Sequence, residues 1–288
     1  MSSIKHYLSL VKFSHTIFAL PFACIGFMLA LKINSTFSFS ESIKLFFLVL
    51  ICMITARNSA MAFNRFIDRD IDALNPRTVV REIPAGIINA KNALFFVAIN
   101  CLFFVITTYF INTSCFYLSP MALFIILFYS YTKRFTPLCH LVLGVGLGLA
   151  PMGAYLAVTG EFAWLPLLFS FTVFCWVSGF DIIYALQDEE FDRANKLNSI
   201  PVLLGTKGAL RYSEALHLFA IVFVLLAGYV GHFNFVYWIG ASLFSALVIY
   251  QHTLVKPTDL SKVNLAFFTT NGIASVVFAV FTIISFFI

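Results

Sequence analysis

Charged side chains are scarce in this sequence. Asp, Glu, Lys and Arg make up 11% of its 288 residues, against 61% hydrophobic residues and 36 phenylalanines. A soluble domain of this size cannot hide so much apolar surface, and the mean hydropathy of +0.95 excludes that class. Paired metal-binding cysteines are missing too: Cys24, Cys52, Cys101, Cys115, Cys139 and Cys175 are scattered through apolar stretches without a C-x-x-C pair and read as small buried hydrophobes. The six histidines have no metal-ligand spacing. No P-loop and no G-x-G-x-x-G is present, which argues against a nucleotide ligand. The net charge of +5 belongs to loops against anionic headgroups rather than to nucleic acid binding.

What is abundant is apolar sequence in membrane-length blocks. These fall near 13–31, 43–66, 91–111, 115–132, 138–158, 163–186, 214–231, 233–252 and 263–288, predicting nine helices. The breaks carry turn residues or charge, as in INTSC, TKRFTP, VTGEF, GHFN and KPTDLSK. The first run follows Lys5 and Lys12, an order that also suits a signal peptide, but no A-x-A site closes it, so it reads as a membrane helix. With the N-terminus inside, every Lys and Arg except Lys32, Lys44 and Arg57 falls in inside segments, which orients the chain by the positive-inside rule. The glycines of LGVGLGLAPMG, Gly144, Gly146 and Gly148, read as close helix packing.

The acids concentrate in two places: NRFIDRDID, residues 64 to 72, closing the second helix, and DIIYALQDEEFDR, residues 181 to 193, closing the sixth. Matching ends suggest two four-helix units, helices 1–4 and 5–8, with the ninth added, all in one membrane domain over residues 1–288. Asn64, Asp68 and Asp72 are spaced i, i+4, i+8, and Asp181, Asp188 and Asp192 are spaced i, i+7, i+11. Each set would line one helix face, with Tyr184 on the second stripe and Asp70, Glu189 and Glu190 off the stripes. Like charges at i, i+4 repel, so a cation must offset them. Neighbouring arginines would serve. Oxygen-only ligands also suit Mg2+, which shares its shell with substrate phosphate, and that is the preferred reading: Asn64, Asp68, Asp72, Asp188 and Asp192 as metal ligands. Bases flank both clusters, Arg77 and Arg81, Lys133 and Arg134, and Lys196. Acids interleaved with bases fit a metal-bridged polyanion, and at a membrane face that is a lipid diphosphate.

These segments carry a resemblance. NRFIDRDIDALNPRTVVREIPAG resembles the first aspartate motif of the UbiA superfamily of intramembrane aromatic prenyltransferases, N-x-x-x-D-x-x-x-D followed by R-T-x-x-R-x-[IL]-P-x-G. DIIYALQDEEFDRANKLNSIP resembles its second motif and YSYTKRFT its K-R-x-T loop, within a likeness over roughly residues 10 to 210. Within the superfamily the sequence is most similar to the 4-hydroxybenzoate polyprenyltransferase branch. That branch has a D-R-P-x-G-type stretch in helix 1 where this chain has KFSHTIFALPFA, which leaves a menaquinone-pathway acceptor open. The resemblance implies a two-Mg2+ site that stabilises a departing diphosphate while an aromatic ring attacks C1 of the prenyl chain. Catalysis would rest on Asp68, Asp72, Asp188 and Asp192. Arg57, Asn64, Arg77, Arg81, Lys133, Arg134, Asp181, Tyr184 and Lys196 would bind substrate. The implied partners are a polyprenyl diphosphate, an aromatic acid and membrane lipid, with no nucleic acid, at the cytoplasmic face of an inner or plasma membrane.

Arg57 lies inside a predicted span, about 10 Å deeper than Asn64 by helical rise. It either receives the acceptor carboxylate or pairs with Asp181. An ion-coupled transporter is the rival from another class, but transporter sites lie near midplane and these clusters lie at helix ends. A CDP-alcohol phosphotransferase would need a D-G-x-x-A-R run, which is absent.

Overall fold

The computed structural model describes residues 3–11, 18–34 and 37–288. Its regular elements are helices: α1 (Ser3–Leu10), α2 (Leu20–Ile33), α3 (Phe39–Ile67), α4 (Arg69–Asp72), α5 (Ala90–Ile111), α6 (Thr113–Thr132), α7 (Cys139–Thr159), α8 (Trp164–Ala185), α9 (Glu189–Ala194), α10 (Ile200–Val230), α11 (Phe235–Leu254) and α12 (Asn271–Ser285). Among the described residues eight helical segments are long and apolar enough to cross a membrane, rather than the expected nine. The first expected span is represented by α2, 14 residues long, and residues 13–17 of that span lie outside the described residues.

The helix ends follow local chemistry. Ser38 and Glu41 form a reciprocal capping box that starts α3. Asn112 caps α6 through Cys115 N at 2.8 Å and also donates across to Leu156 O on α7 at 2.8 Å, joining two helices at one point. Gly160 ends α7 at φ 73°, in the left-handed region. The expected break at GHFN is present, with Asn234 capping α11. One boundary differs markedly. The seventh span begins at Ile200, not near residue 214, because Ser199 caps it and Pro201 suits its first turn. Lys207 and Arg211 therefore ride on the helix rather than in a loop, beyond a break at Gly205.

The centre of the bundle lies around α7 and α8, where Phe22, Phe169, Trp176, Tyr237, Phe244 and Phe278 are fully buried. Close approach of these helices depends on small residues. A Cβ on Gly144 would lie 2.1 Å from Ser178 Oγ, and one on Gly26 would lie 2.0 Å from Pro151 O, so α7 sits tightly against both α8 and α2. The two expected four-helix units are not packed alike. In both, the second helix lies along the third, α3 on α5 and α8 on α10; but α7 also lies along α8, whereas α2 barely meets α3 and rests on α7 instead. That splaying opens space between α3, α6, α7 and α8.

A π-helical turn, Leu265–Thr270, precedes α12. Asn271 donates to Ala266 O and Phe267 O at 3.1 and 3.0 Å and accepts from Trp176 Nε1 at 2.9 Å, so the carbonyls freed by the turn stay bonded in an apolar interior. The turn presses Phe267 onto the Tyr184 ring, centroids 4.2 Å apart.

Candidate active site

Both acidic segments come to one end of the bundle, and both depart from the continuous helical stripes expected of them. α3 ends at Ile67, and Asp68 has φ −88° and ψ 2°, so Asp68 sits at a break and Asp72 on the separate turn α4. The i, i+4 relation survives as a bond from Asn64 Nδ2 to Asp68 Oδ2 at 3.0 Å. In the second segment a 3-10 turn, Leu186–Asp188, separates Asp181 on α8 from Asp192 on α9. The physical reason is repulsion: an unbroken helix would stack the carboxylates, while a turn aims each at its own base.

Each of the four principal acids has one base. Arg134 lies 3.0 Å from Asp68, Arg81 2.6 Å from Asp72 and Lys133 2.7 Å from Asp192; Arg77 grips Asp188 with two nitrogens, its Nε at 2.9 Å. The bases are held in turn. Arg134 donates to Ser130 O and Ile67 O at 3.0 and 2.9 Å, tying the end of α6 to the end of α3. Arg77 donates to Tyr184 Oη at 3.0 Å and lies over the same ring. Burial pushes the Asp68 carboxyl above its usual value, against the pull of Arg134. Asp70 is turned outward beside Arg69, and Glu189 bonds Arg193 and Thr206.

The four paired aspartates and their bases form one end of a cavity of about 930 Å³. It follows α7 from Cys139 to Ala157, about 27 Å by helical rise, with Leu143, Leu147, Ala150, Leu118 and Ile125 among its apolar walls. Arg57 lines it too, deeper than Asn64. Among the described residues the partner of Asp181 Oδ2 is His140, whose Nδ1 lies 2.7 Å away. Lys196 is exposed, with φ 56°, and is not among the cavity-lining residues.

For a metal, the donor set is mixed. Among the described residues no three of His, Cys, Asp and Glu are gathered closely enough to hold an ion by themselves. Yet Asp72 Oδ2 and Asp192 Oδ2 are buried without a hydrogen-bond partner, on residues only 5% and 1% exposed. Unpartnered carboxylate oxygens on two segments that both line the cavity fit Mg2+, which takes one or two carboxylates and completes its shell from substrate and water.

Residues 19–273 match the model of the UbiA prenyltransferase family. The chain belongs to this family. It is 26% identical over 228 residues to a 4-hydroxybenzoate octaprenyltransferase of Francisella tularensis subsp. mediasiatica, covering 79% of this chain and 80% of that one. The structure resembles an apo UbiA homolog from Aeropyrum pernix K1, with a TM-score of 0.78 and 32% identity over 93% of this chain and 95% of that one. It also shares the fold of a UbiA homolog from Archaeoglobus fulgidus bound to DMAPP and Mg2+, with a TM-score of 0.77 and 19% identity over 98% and 99% of the two chains.

Three residues of this UbiA prenyltransferase escaped the sequence reading. Asn75 donates to Asp188 Oδ1 at 3.2 Å and accepts from Arg77 N at 2.9 Å, shaping the loop that delivers Arg77; its place in NPRT, a turn sequence, was the available signal. His140 backs Asp181 and carries no spacing signal. Arg65, in the last turn of α3, lines the cavity and is 7% exposed. By sequence it reads with the charges of an inside loop, where a buried base and a solvated one look alike.

Proposed function

We propose that this chain transfers a polyprenyl group from a polyprenyl diphosphate to the ring of an aromatic acid, 4-hydroxybenzoate or a similar acceptor in quinone biosynthesis, with Mg2+. The supporting observation is the continuity of the cavity: four acid–base pairs at one end, a long apolar channel behind them. That pairing of a polyanion site with a greasy channel suits a prenyl diphosphate. The names of the Francisella protein and of the Archaeoglobus complex support the same reading.

In this mechanism Asp68, Asp72, Asp188 and Asp192 hold Mg2+, which, when bound, stabilises the negative charge of the departing diphosphate. Arg77, Arg81, Lys133 and Arg134 exchange their carboxylate partners for diphosphate oxygens, so the bases are not left unpaired in either state. The C1–oxygen bond of the prenyl diphosphate breaks as a ring carbon ortho to the acceptor hydroxyl bonds to C1, and the ring proton then leaves. Apolar walls such as Leu143 and Leu147 exclude the water that would otherwise trap the cationic carbon. Arg57, below the acids, receives the acceptor carboxylate, and Asn64, Asp181 and Tyr184 complete the reaction zone. Lys196 has no part in it.

The test is transfer by purified protein from a polyprenyl diphosphate to 4-hydroxybenzoate. Product that forms only with Mg2+ supports the reading; absence of product with this and related aromatic acids refutes it. We place the site at the cytoplasmic face. Cysteines put at Asp70 and Asp259 in a Cys-free variant should be labelled only from inside, and labelling from outside intact cells would reverse that orientation.

A further inference from the structure

We propose that Arg65 is a diphosphate-binding residue, receiving phosphate oxygens together with Arg81; this deepens the reading above and rests on it. Five bases line the polar end of the cavity: Arg65, Arg77, Arg81, Lys133 and Arg134. Four of them are matched by Asp188, Asp72, Asp192 and Asp68. Arg65 has no acid within ion-pair distance among the described residues, and its Nε is buried without a hydrogen-bond partner. It is also the most enclosed of the five, 7% exposed. Asp72, Glu82 and Arg81 act on it only through space, and Asp72 is already committed to Arg81.

A buried guanidinium without a counter-ion is unfavourable, and the position is fixed by the end of α3 rather than by a loop that could swing it into water. Glu82 lines the same cavity but makes no ion pair with Arg65, so Arg65 is the one of the five bases without a direct acidic partner among the described residues. An anion that enters can bond Arg65 without first breaking an ion pair. Arg81 is a second cation beside Arg65, and two neighbouring cations favour an anion with several oxygens. This distinguishes the diphosphate from the single carboxylate of an aromatic acid, which Arg57 meets deeper in the cavity.

The experiment uses the full chain in detergent with Mg2+ and inorganic diphosphate as the probe. Arg65→Met should raise the Kd for diphosphate by about 10- to 100-fold, the range expected for loss of a charged hydrogen bond. In the ligand-free protein the same variant should melt at the same temperature or higher, because it removes an unmatched buried charge. A structural role would instead lower that temperature and leave the Kd unchanged, and this result overturns the proposal. So does a raised KM for the aromatic acid with diphosphate affinity intact. If Arg65→Met does not fold, Arg65→Lys decides: losing the planar fork must still raise the Kd severalfold, and an unchanged Kd overturns the assignment. Diphosphate binding needs no acceptor. A shifted Kd alongside a failure to prenylate any aromatic acid would sink the proposed reaction and leave the role of Arg65 standing.

Discussion

At the end of α3, Asp72 draws its base, Arg81, from nine residues further along the same segment, and Asn64 bonds Asp68 from one turn back. At the end of α8 the local pair is Glu189 with Arg193, and it holds neither Asp188 nor Asp192. Asp188 takes Arg77 and Asn75 from the first segment, and Asp192 takes Lys133 from the turn after α6. The first acidic segment is partly self-supporting, while the second is organised by residues far away in the chain. The loop after α4 thus serves both, holding its own acid with Arg81 and reaching across with Asn75 and Arg77. The difference teaches that damage to that loop should reach the second segment as well as the first, because Asp188 and Asp72 both take their base from it.

The largest expected effect tests what the two segments share. Asp72→Ala and Asp192→Ala should each lower kcat for prenyl transfer by about 100-fold or more at saturating Mg2+, as removal of preorganised charge at a reacting diphosphate does. Full activity in either variant would show that the segments are unequal partners in chemistry as well as in support. Next comes the cross-segment contact. Arg77→Ala should weaken prenyl diphosphate binding by about 10-fold or more. A double-mutant cycle of Arg77→Ala with Asp188→Asn should give a coupling of about 0.5–3 kcal/mol, against nearly none for Arg77→Ala with Asp72→Asn. Equal couplings would erase the asymmetry described above.

A smaller effect should follow Asn75→Ala. It leaves every charge in place but removes one bond to Asp188 and the turn that aims Arg77, costing about 1 kcal/mol in diphosphate binding. A change confined to acceptor KM would mean that the loop aims something other than Arg77. The smallest effect should be that of Lys196→Ala, which lies outside the cavity and should change transfer rates by no more than about twofold. A large loss there would restore Lys196 to the second segment as a base of its own.

The sequence by itself determined the class and most of the parts. Apolar blocks of membrane length set the spans, because a helix must cross lipid with its backbone bonded internally. Chain spacing put Asn64 one turn from Asp68, since i and i+4 are neighbours on any helix. The glycines of α7 announced a close approach, and Gly144 makes it against Ser178. Only the tertiary structure decided where those helices stop. Asp68 and Leu186–Asp188 look helical by pattern, but the chain turns there because each carboxylate is drawn to a base from another segment. It also decided the partners: Arg77 and Asp188 are 111 residues apart, and Arg134 reaches Ile67 across 67. Of two bases beside the acidic motifs, the sequence pattern favours Lys196 and passes over Arg65. One end of α3 was carried into the cavity wall and the turn after α9 was left in water, and that difference belongs to packing between distant helices, which residue type and local spacing do not encode.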